Sequence, residues 1–246
     1  MAYSIEQIRL DRDEKILLAF KRLRLPGMAN HFREILEGTV EVDGLDVSTI
    51  LEQFIDVELG RRTDNKADKL IREARLWYPS ATLEHLQGNA RKLSPQLIST
   101  LSKVRFIEAG AFIIIYGGPR SGTTYLGCAI GASACRLNRR TRYVRYFDLL
   151  SNLVEAKQVA GSLQDGLEAL RTVPCLIVDD WMNSNMSQNE LLLMREIMDY
   201  RPKYGGTILI SHSHPDSWKG LVDSDTSYRD SMFKTLTEGA MIIELA

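Results

Sequence analysis

Cysteine is scarce in this sequence. Cys128, Cys135 and Cys175 show neither CxxC spacing nor an even count, and each sits among apolar neighbours. That pattern argues against a disulfide framework or a cysteine-based zinc site and reads as buried thiols. Long apolar runs are missing as well: no stretch approaches the roughly 20 residues needed to cross a bilayer, and the start MAYSIEQIRLDRDE is too charged for the apolar core of a signal peptide. The expected location is therefore cytoplasmic. A dominant charge is absent too, since 31 Lys and Arg face 32 Asp and Glu. Overall charge thus points to neither a nucleic-acid nor a membrane partner, and only local clusters can. No histidine pair has the spacing of a zinc site, and His31 and His85 fall on helically patterned segments as solvated or packed residues.

What is present suffices for one core and an appended small domain: 246 residues, 44% of them hydrophobic. From Asp13 to about Glu108 the apolar residues recur at helical spacing, as in Ile16, Leu17, Phe20 and Leu23. Pro26-Gly27 breaks the first helix, Gly38 and Gly44 bracket a turn, Leu51 to Trp77 suits a long amphipathic helix, and Pro79 ends it. After Gly110 the pattern becomes short apolar runs alternating with helical stretches: Phe112–Tyr116, Tyr143–Phe147, Cys175–Val178, Thr207–Ser211 and Met241–Leu245. The expected fold class is α/β, with a small helical domain over residues 1–108 and a parallel sheet flanked by helices over 109–246. Functional residues should then gather at the carboxyl ends of the strands.

The first strand runs into Gly117-Gly118-Pro119-Arg120-Ser121-Gly122-Thr123-Thr124, and Tyr125 continues into a good helix start. Strand, Gly-rich turn and helix is the phosphate-loop context, in which backbone N–H groups and a helix N-terminus wrap phosphates. Gly117, Gly122 and Thr124 fit the GxxxxGK[ST] pattern, but Thr123 stands where lysine belongs. One cation about 4 Å from a phosphate charge is worth roughly 4 kcal/mol at an effective dielectric near 20, before desolvation. Losing it should hurt binding and catalysis together. Arg120 is a candidate substitute charge, although its planar fork does not replace a flexible ammonium.

The strand Cys175–Val178 ends in Asp179 and Asp180. In phosphate-loop proteins such a first acid helps the loop hydroxyl, here Thr124, to hold Mg²⁺, and an adjacent acid orients the attacking water. Asp179 and Asp180 are the candidates. Alone, a strand ending in acids is an ordinary solvated terminus; downstream of the Gly-rich turn it reads as functional. A third strand delivers His212 to the same edge, either as a sensor of the terminal phosphate or as a loop histidine without that contact. Arg136, Arg139, Arg140, Arg142 and Arg145, with Tyr143 and Tyr146 interleaved, suit phosphate contact and base stacking. A solvated helix C-terminus accounts for part of that run. Arg61, Arg62, Lys66, Lys69, Arg72 and Arg75 form a second set along one helix. Neither set carries a base-reading motif, so binding should be sequence-independent and salt-sensitive.

Leu23-Arg24-Leu25-Pro26-Gly27-Met28-Ala29, Ala74 to Glu84, Ala134-Cys135-Arg136 with Arg142 to Arg145, Leu176 to Trp181 and Ser211 to Trp218 together resemble the blocks of IstB-like proteins. The resemblance spans nearly the whole chain. It implies an AAA+ P-loop NTPase fold behind an N-terminal helical domain, related to the helicase loader DnaC. It also implies ATP with Mg²⁺ as cofactors, homo-oligomeric assembly on double-stranded DNA, and the transposase encoded beside it as partner. Three positions depart from the family: Thr123, His212 in place of Asn or Gln, and Lys234-Thr235 in place of an Asp-Arg pair. An arginine of that last kind can be worth roughly 10³ to 10⁵ in rate. Arg201 and Arg229 are the nearby substitutes. Three functions follow: an ATP-dependent transposition helper with weak hydrolysis, a non-hydrolysing scaffold for DNA or transposase, and a DnaC-like helicase loader. The block through Ala29 argues against the last.

Overall fold

The computed structural model describes residues 5–86, 93–156, 162–222 and 227–245. The chain forms two compact units, residues 1–66 and 67–246.

The first unit contains α1 (Ile5–Arg22), α2 (Pro26–Leu36) and the opening half of α3 (Val47–Ala74). Pro26 occupies the first turn of α2, where its missing N–H is harmless. Gly38 and Gly44 both take positive φ, at 73° and 79°, and make the turn between α2 and α3. Asp46 then caps α3 by accepting from the Thr49 N–H at 3.0 Å, which starts the helix before the expected Leu51. At the other end Arg75 adopts φ 56° and stops the helix before the expected Trp77. Phe20 and Phe54 pack at 5.9 Å between ring centroids, with Phe32 at 6.3 Å from each.

The second unit is a five-stranded parallel sheet among the described residues: β1 (Phe112–Tyr116), β2 (Thr141–Arg145), β3 (Cys175–Asp179), β4 (Gly206–Ser211) and β5 (Met241–Glu244), in the order β2-β3-β4-β1-β5. Alternate residues divide between two cores. Ile113, Ile115, Ile177, Ile208 and Ile210 face one, with α4 (Pro95–Ser102) and α5 (Thr123–Arg136). Phe112, Ile114, Leu176, Val178 and Leu209 face the other, with α6 (Tyr146–Ala156), α7 (Ser162–Thr172), α8 (Gln188–Met198) and α10 (Ser227–Thr237). The short α9 (Arg201–Tyr204) precedes β4. Leu70, Ala74, Leu76, Leu83, Leu86, Ile98 and Leu101 join the first core, so residues 67–86 and 93–108 pack with the sheet although their period is helical.

The second strand lies two residues earlier than the apolar run Tyr143–Phe147 suggested. Arg145 pairs with Asp179, the last residue of β3, so nothing remains for Tyr146 to pair with. Tyr146 and Phe147 instead open α6, where Asp148 in the first turn suits the helix N-terminus. Cys128, Cys135 and Cys175 are buried free thiols. Burial pushes the Cys128 thiol up to about 11 and Cys175 up to about 12.

Candidate nucleotide-binding site

Three strand ends meet at the carboxyl edge of the sheet. β4 lies between β1 and β3, with Tyr116 opposite Ser211 and Val178 opposite Leu209. The Gly117 N–H donates to the Ser211 carbonyl at 3.2 Å, and Ser121 N–H to the Gly118 carbonyl at 3.1 Å, which closes the turn. Arg120 sits at φ 67° and Gly122 at φ 93°. Gly122 caps α5, and its carbonyl accepts the Leu126 N–H at 2.9 Å. Thr123, Thr124 and Tyr125 therefore occupy the first turn, whose N–H groups and positive dipole end suit an anion. Gly118, Pro119 and Arg120 are exposed, Ser121 and Thr124 partly so, and Thr123 is buried. Tyr125 turns away: its hydroxyl accepts from Thr82 N–H at 3.3 Å and lies 3.1 Å from His85 Nδ1.

Gly117 has no room for a side chain. A Cβ there would lie 2.1 Å from the Leu245 carbonyl oxygen, which is backbone and cannot swing aside. Gly117→Ala should cost about 1–3 kcal/mol by overpacking. Thermal unfolding checks this, and an unchanged midpoint would contradict the tight approach.

Asp179 is buried at the end of β3. Its Oδ2 accepts from the Tyr143 hydroxyl at 2.7 Å and its Oδ1 from the Asp180 N–H at 2.9 Å. Burial, reinforced by Asp179, raises the Tyr143 pKa and keeps this phenol a donor. Asp180 takes φ 57°, a conformation that non-glycine residues seldom adopt. Its carboxylate is engaged already: Arg145 Nε donates to Oδ2 at 2.9 Å, and Asn183 Nδ2 to Oδ1 at 3.1 Å. The Arg145 guanidinium also lies over Trp77, 5.5 Å from the ring centre. Asn183 Oδ1 accepts from the His212 N–H at 3.1 Å, so one side chain ties the ends of β3 and β4 together. The His212 side chain itself is exposed.

Tyr143 and Asn183 were not legible as site residues. Strand alternation held the clue for Tyr143, because β2 buries Thr141, Tyr143 and Val144 and exposes Arg142 and Arg145. Tyr143 and Tyr146 are both buried, which corrects their reading as stacking aromatics; Tyr146 packs edge-on against Trp181 at 5.3 Å. Tyr143→Phe should destabilise by about 1–3 kcal/mol, because it strips a buried carboxylate of its donor. Urea unfolding would show this as a lower midpoint at constant slope, and no change would mean that water replaces the phenol.

All five arginines of the basic run are exposed, but they form two groups. Arg136, Arg139, Arg140 and Arg142 surround the end of α5 and the start of β2. Arg145 lies at the other end of that strand, beside Asp180. Arg139 is paired with Glu108. Of the substitute arginines, Arg201 is fully buried at the amino ends of β3 and β4, the edge opposite the Gly-rich turn. Its guanidinium donates to Thr207 Oγ1 at 3.0 Å, to the Arg171 carbonyl at 2.9 Å, and to the Val173 and Gly206 carbonyls. It is a structural residue and takes no part at this edge. Arg229 lies on α10 with Asp230 at 3.4 Å, and Lys234 on the same helix is exposed.

A parallel sheet in this order, a Gly-rich turn opening the central helix and an acid on the second strand over define the AAA+ P-loop NTPase fold. Residues 18–246 match the IstB-like ATP binding protein family, and the chain belongs to it. A protein of insertion sequence IS1162 in Pseudomonas fluorescens, named as ATP-binding, is 33% identical over 77% of this chain and 82% of its own length. The insertion-sequence ATP-binding protein y4uH of Sinorhizobium fredii is 27% identical over 92% of this chain and 90% of its own. Among solved structures, DnaI superposes with a TM-score of 0.57 at 18% identity, over 72% of this chain and 93% of that one. The DnaC helicase loader gives 0.56 at 18%, over 70% and 99%. AMPPCP-bound DnaA from Aquifex aeolicus gives 0.55 at 23%, over 68% of this chain and half of the DnaA chain. At these identities the superpositions establish the fold. No helix among the described residues is long and apolar enough to cross a membrane.

Proposed function

We propose that this chain is an ATP-binding helper of DNA transposition that works in the cytoplasm, assembles as a homo-oligomer on double-stranded DNA and recruits or stimulates a transposase. One observation carries this: the Gly117–Thr124 turn opens α5 at the same sheet edge as Asp179, with β4 between their strands. The insertion-sequence relatives and the nucleotide held by DnaA support it. In function the chain divides near residue 108, between a helical part over 1–108 and a nucleotide-binding part over 109–246.

In this reading the amides of Gly117 to Thr124 wrap the phosphates, with Arg120 as a local cation. The Thr124 hydroxyl and Asp179 are the ligands for Mg²⁺, which prefers a hard carboxylate, phosphate oxygens and several waters. That donor set fits: Asp179 is fixed by Tyr143, and each of its oxygens keeps a free lone pair. Mg²⁺ supplies charge neutralisation of the phosphates when bound. Asp180 can orient water only after Arg145 lets go of it, and His212 is the polar residue at the end of β4. The absent loop lysine and the occupied Asp180 together favour a second reading, a nucleotide-bound but non-hydrolysing scaffold.

Electrophoretic shift of random-sequence duplex DNA, with and without ATP and Mg²⁺, tests assembly. The reading expects ATP to promote cooperative binding whose logarithmic salt slope falls by about one on Arg140→Glu or Arg142→Glu. Binding that ignores both nucleotide and these arginines would refute the DNA role.

A further inference from the structure

A groove of about 990 Å³ opens between α1, α2 and α3, wholly within residues 1–66. Leu17, Leu18, Pro26 and Ala29 give it an apolar floor, and Leu18 is 54% exposed. Its rim carries Lys21, Arg24, Arg33, Arg61 and Arg62 against Glu14 and Glu58. Glu58 is buried and already satisfied, accepting from the Gly27 N–H at 2.7 Å and Arg62 Nε at 2.8 Å. Arg62 holds that carboxyl below the usual carboxylate range. Lys21, Arg24, Arg33 and Arg61 have no carboxylate partner among the described residues.

Five cations against two carboxylates make this lining positive in a chain whose net charge is only −1. Like charges gathered round an apolar floor repel one another until an acidic partner arrives. The groove is also preformed, because the Gly27–Glu58 hydrogen bond ties α2 to α3, so a ligand need not order it. Duplex DNA would use the cations but has no need of leucines, since phosphate contacts are polar. An amphipathic helix with acidic flanks uses both, by the helix-in-groove mode of recognition. We infer that this groove receives an acidic amphipathic helix from a partner protein. The inference does not depend on nucleotide and stands apart from the site on the sheet.

The test is fluorescence anisotropy of a labelled helical peptide of about 16 residues, with leucines at i, i+3, i+4 and i+7 flanked by glutamates, titrated with the full chain. Micromolar binding is expected. It should weaken about tenfold or more on Leu18→Asp, and again on Arg33→Glu combined with Arg61→Glu, with one factor of ten per roughly 1.4 kcal/mol. All three side chains are exposed, and circular dichroism would confirm that the variants remain folded. No binding, or equal binding by wild type and variants, overturns the proposal. Duplex DNA lost on the same substitutions, or self-association abolished by Leu18→Asp, would assign the groove to nucleic acid or to a second copy instead. None of these outcomes bears on the nucleotide site.

Discussion

Thr123→Lys is expected to tighten binding of ATP with Mg²⁺ about ten- to a hundredfold and to raise hydrolysis above the wild-type level. Thr123 is the first residue of α5, directly after the Gly-rich turn, and is buried. It also stands at the lysine position of the GxxxxGK[ST] pattern, from which that side chain reaches the β- and γ-phosphates. A lysine adds a cation worth roughly 4 kcal/mol against one phosphate charge at an effective dielectric near 20. Desolvation of the ammonium removes part of that, and a surviving gain of about 1.4–2.8 kcal/mol gives the stated range. The gain in hydrolysis should fall short of a complete site. Lys234-Thr235 offers no arginine, and Arg145 holds Asp180. Adding Arg145→Ala to Thr123→Lys should raise the rate further. If Thr123→Lys binds ATP no better than wild type, position 123 does not reach the phosphates and this prediction fails; tighter binding without any gain in hydrolysis would favour the nucleotide-bound scaffold.

Arg201→Met is expected to cost about 3–5 kcal/mol of folding stability, because it leaves several buried acceptors without a donor at about 1–3 kcal/mol each. Six acceptors surround this guanidinium: Thr207 Oγ1 and the carbonyls of Leu170, Arg171, Val173, Pro174 and Gly206. Together they join the end of α7 to the starts of β3 and β4. Burial lowers the guanidinium's pKa to about 10, which still leaves it charged at neutral pH. Arg201→Lys should fail as well, since three donors from a point replace a planar five-donor fork. Urea unfolding reads the loss directly. A variant of normal stability that lost only hydrolysis would instead return Arg201 to the nucleotide.

Several features were plain in the sequence because they rest on local chemistry. Buried parallel strands read as unbroken apolar runs, so four of five strands fell close to their observed bounds. The Gly-rich turn announced itself through Gly117 and Gly122, which the backbone requires at those positions. What escaped depends on contacts distant along the chain. The Arg145–Asp180 pair links residues 35 apart, and Tyr143–Asp179 residues 36 apart. Composition cannot reveal that a basic residue has already spent its charge. Tyr143-Val144-Arg145-Tyr146-Phe147 fits a strand as well as it fits a strand end followed by a helix, and only the length of β3 decides between them. In the sequence Arg201 shows only its charge, whereas its burial gives it its role.

Titration calorimetry of the wild-type chain with ATP and Mg²⁺ tests the central claim most directly. If the turn and Asp179 form a nucleotide site despite Thr123, saturable one-to-one binding is expected, weakened by Asp179→Asn when Mg²⁺ is present and tightened by Thr123→Lys. Absence of binding by both wild type and Thr123→Lys, with both proteins folded, would contradict the account.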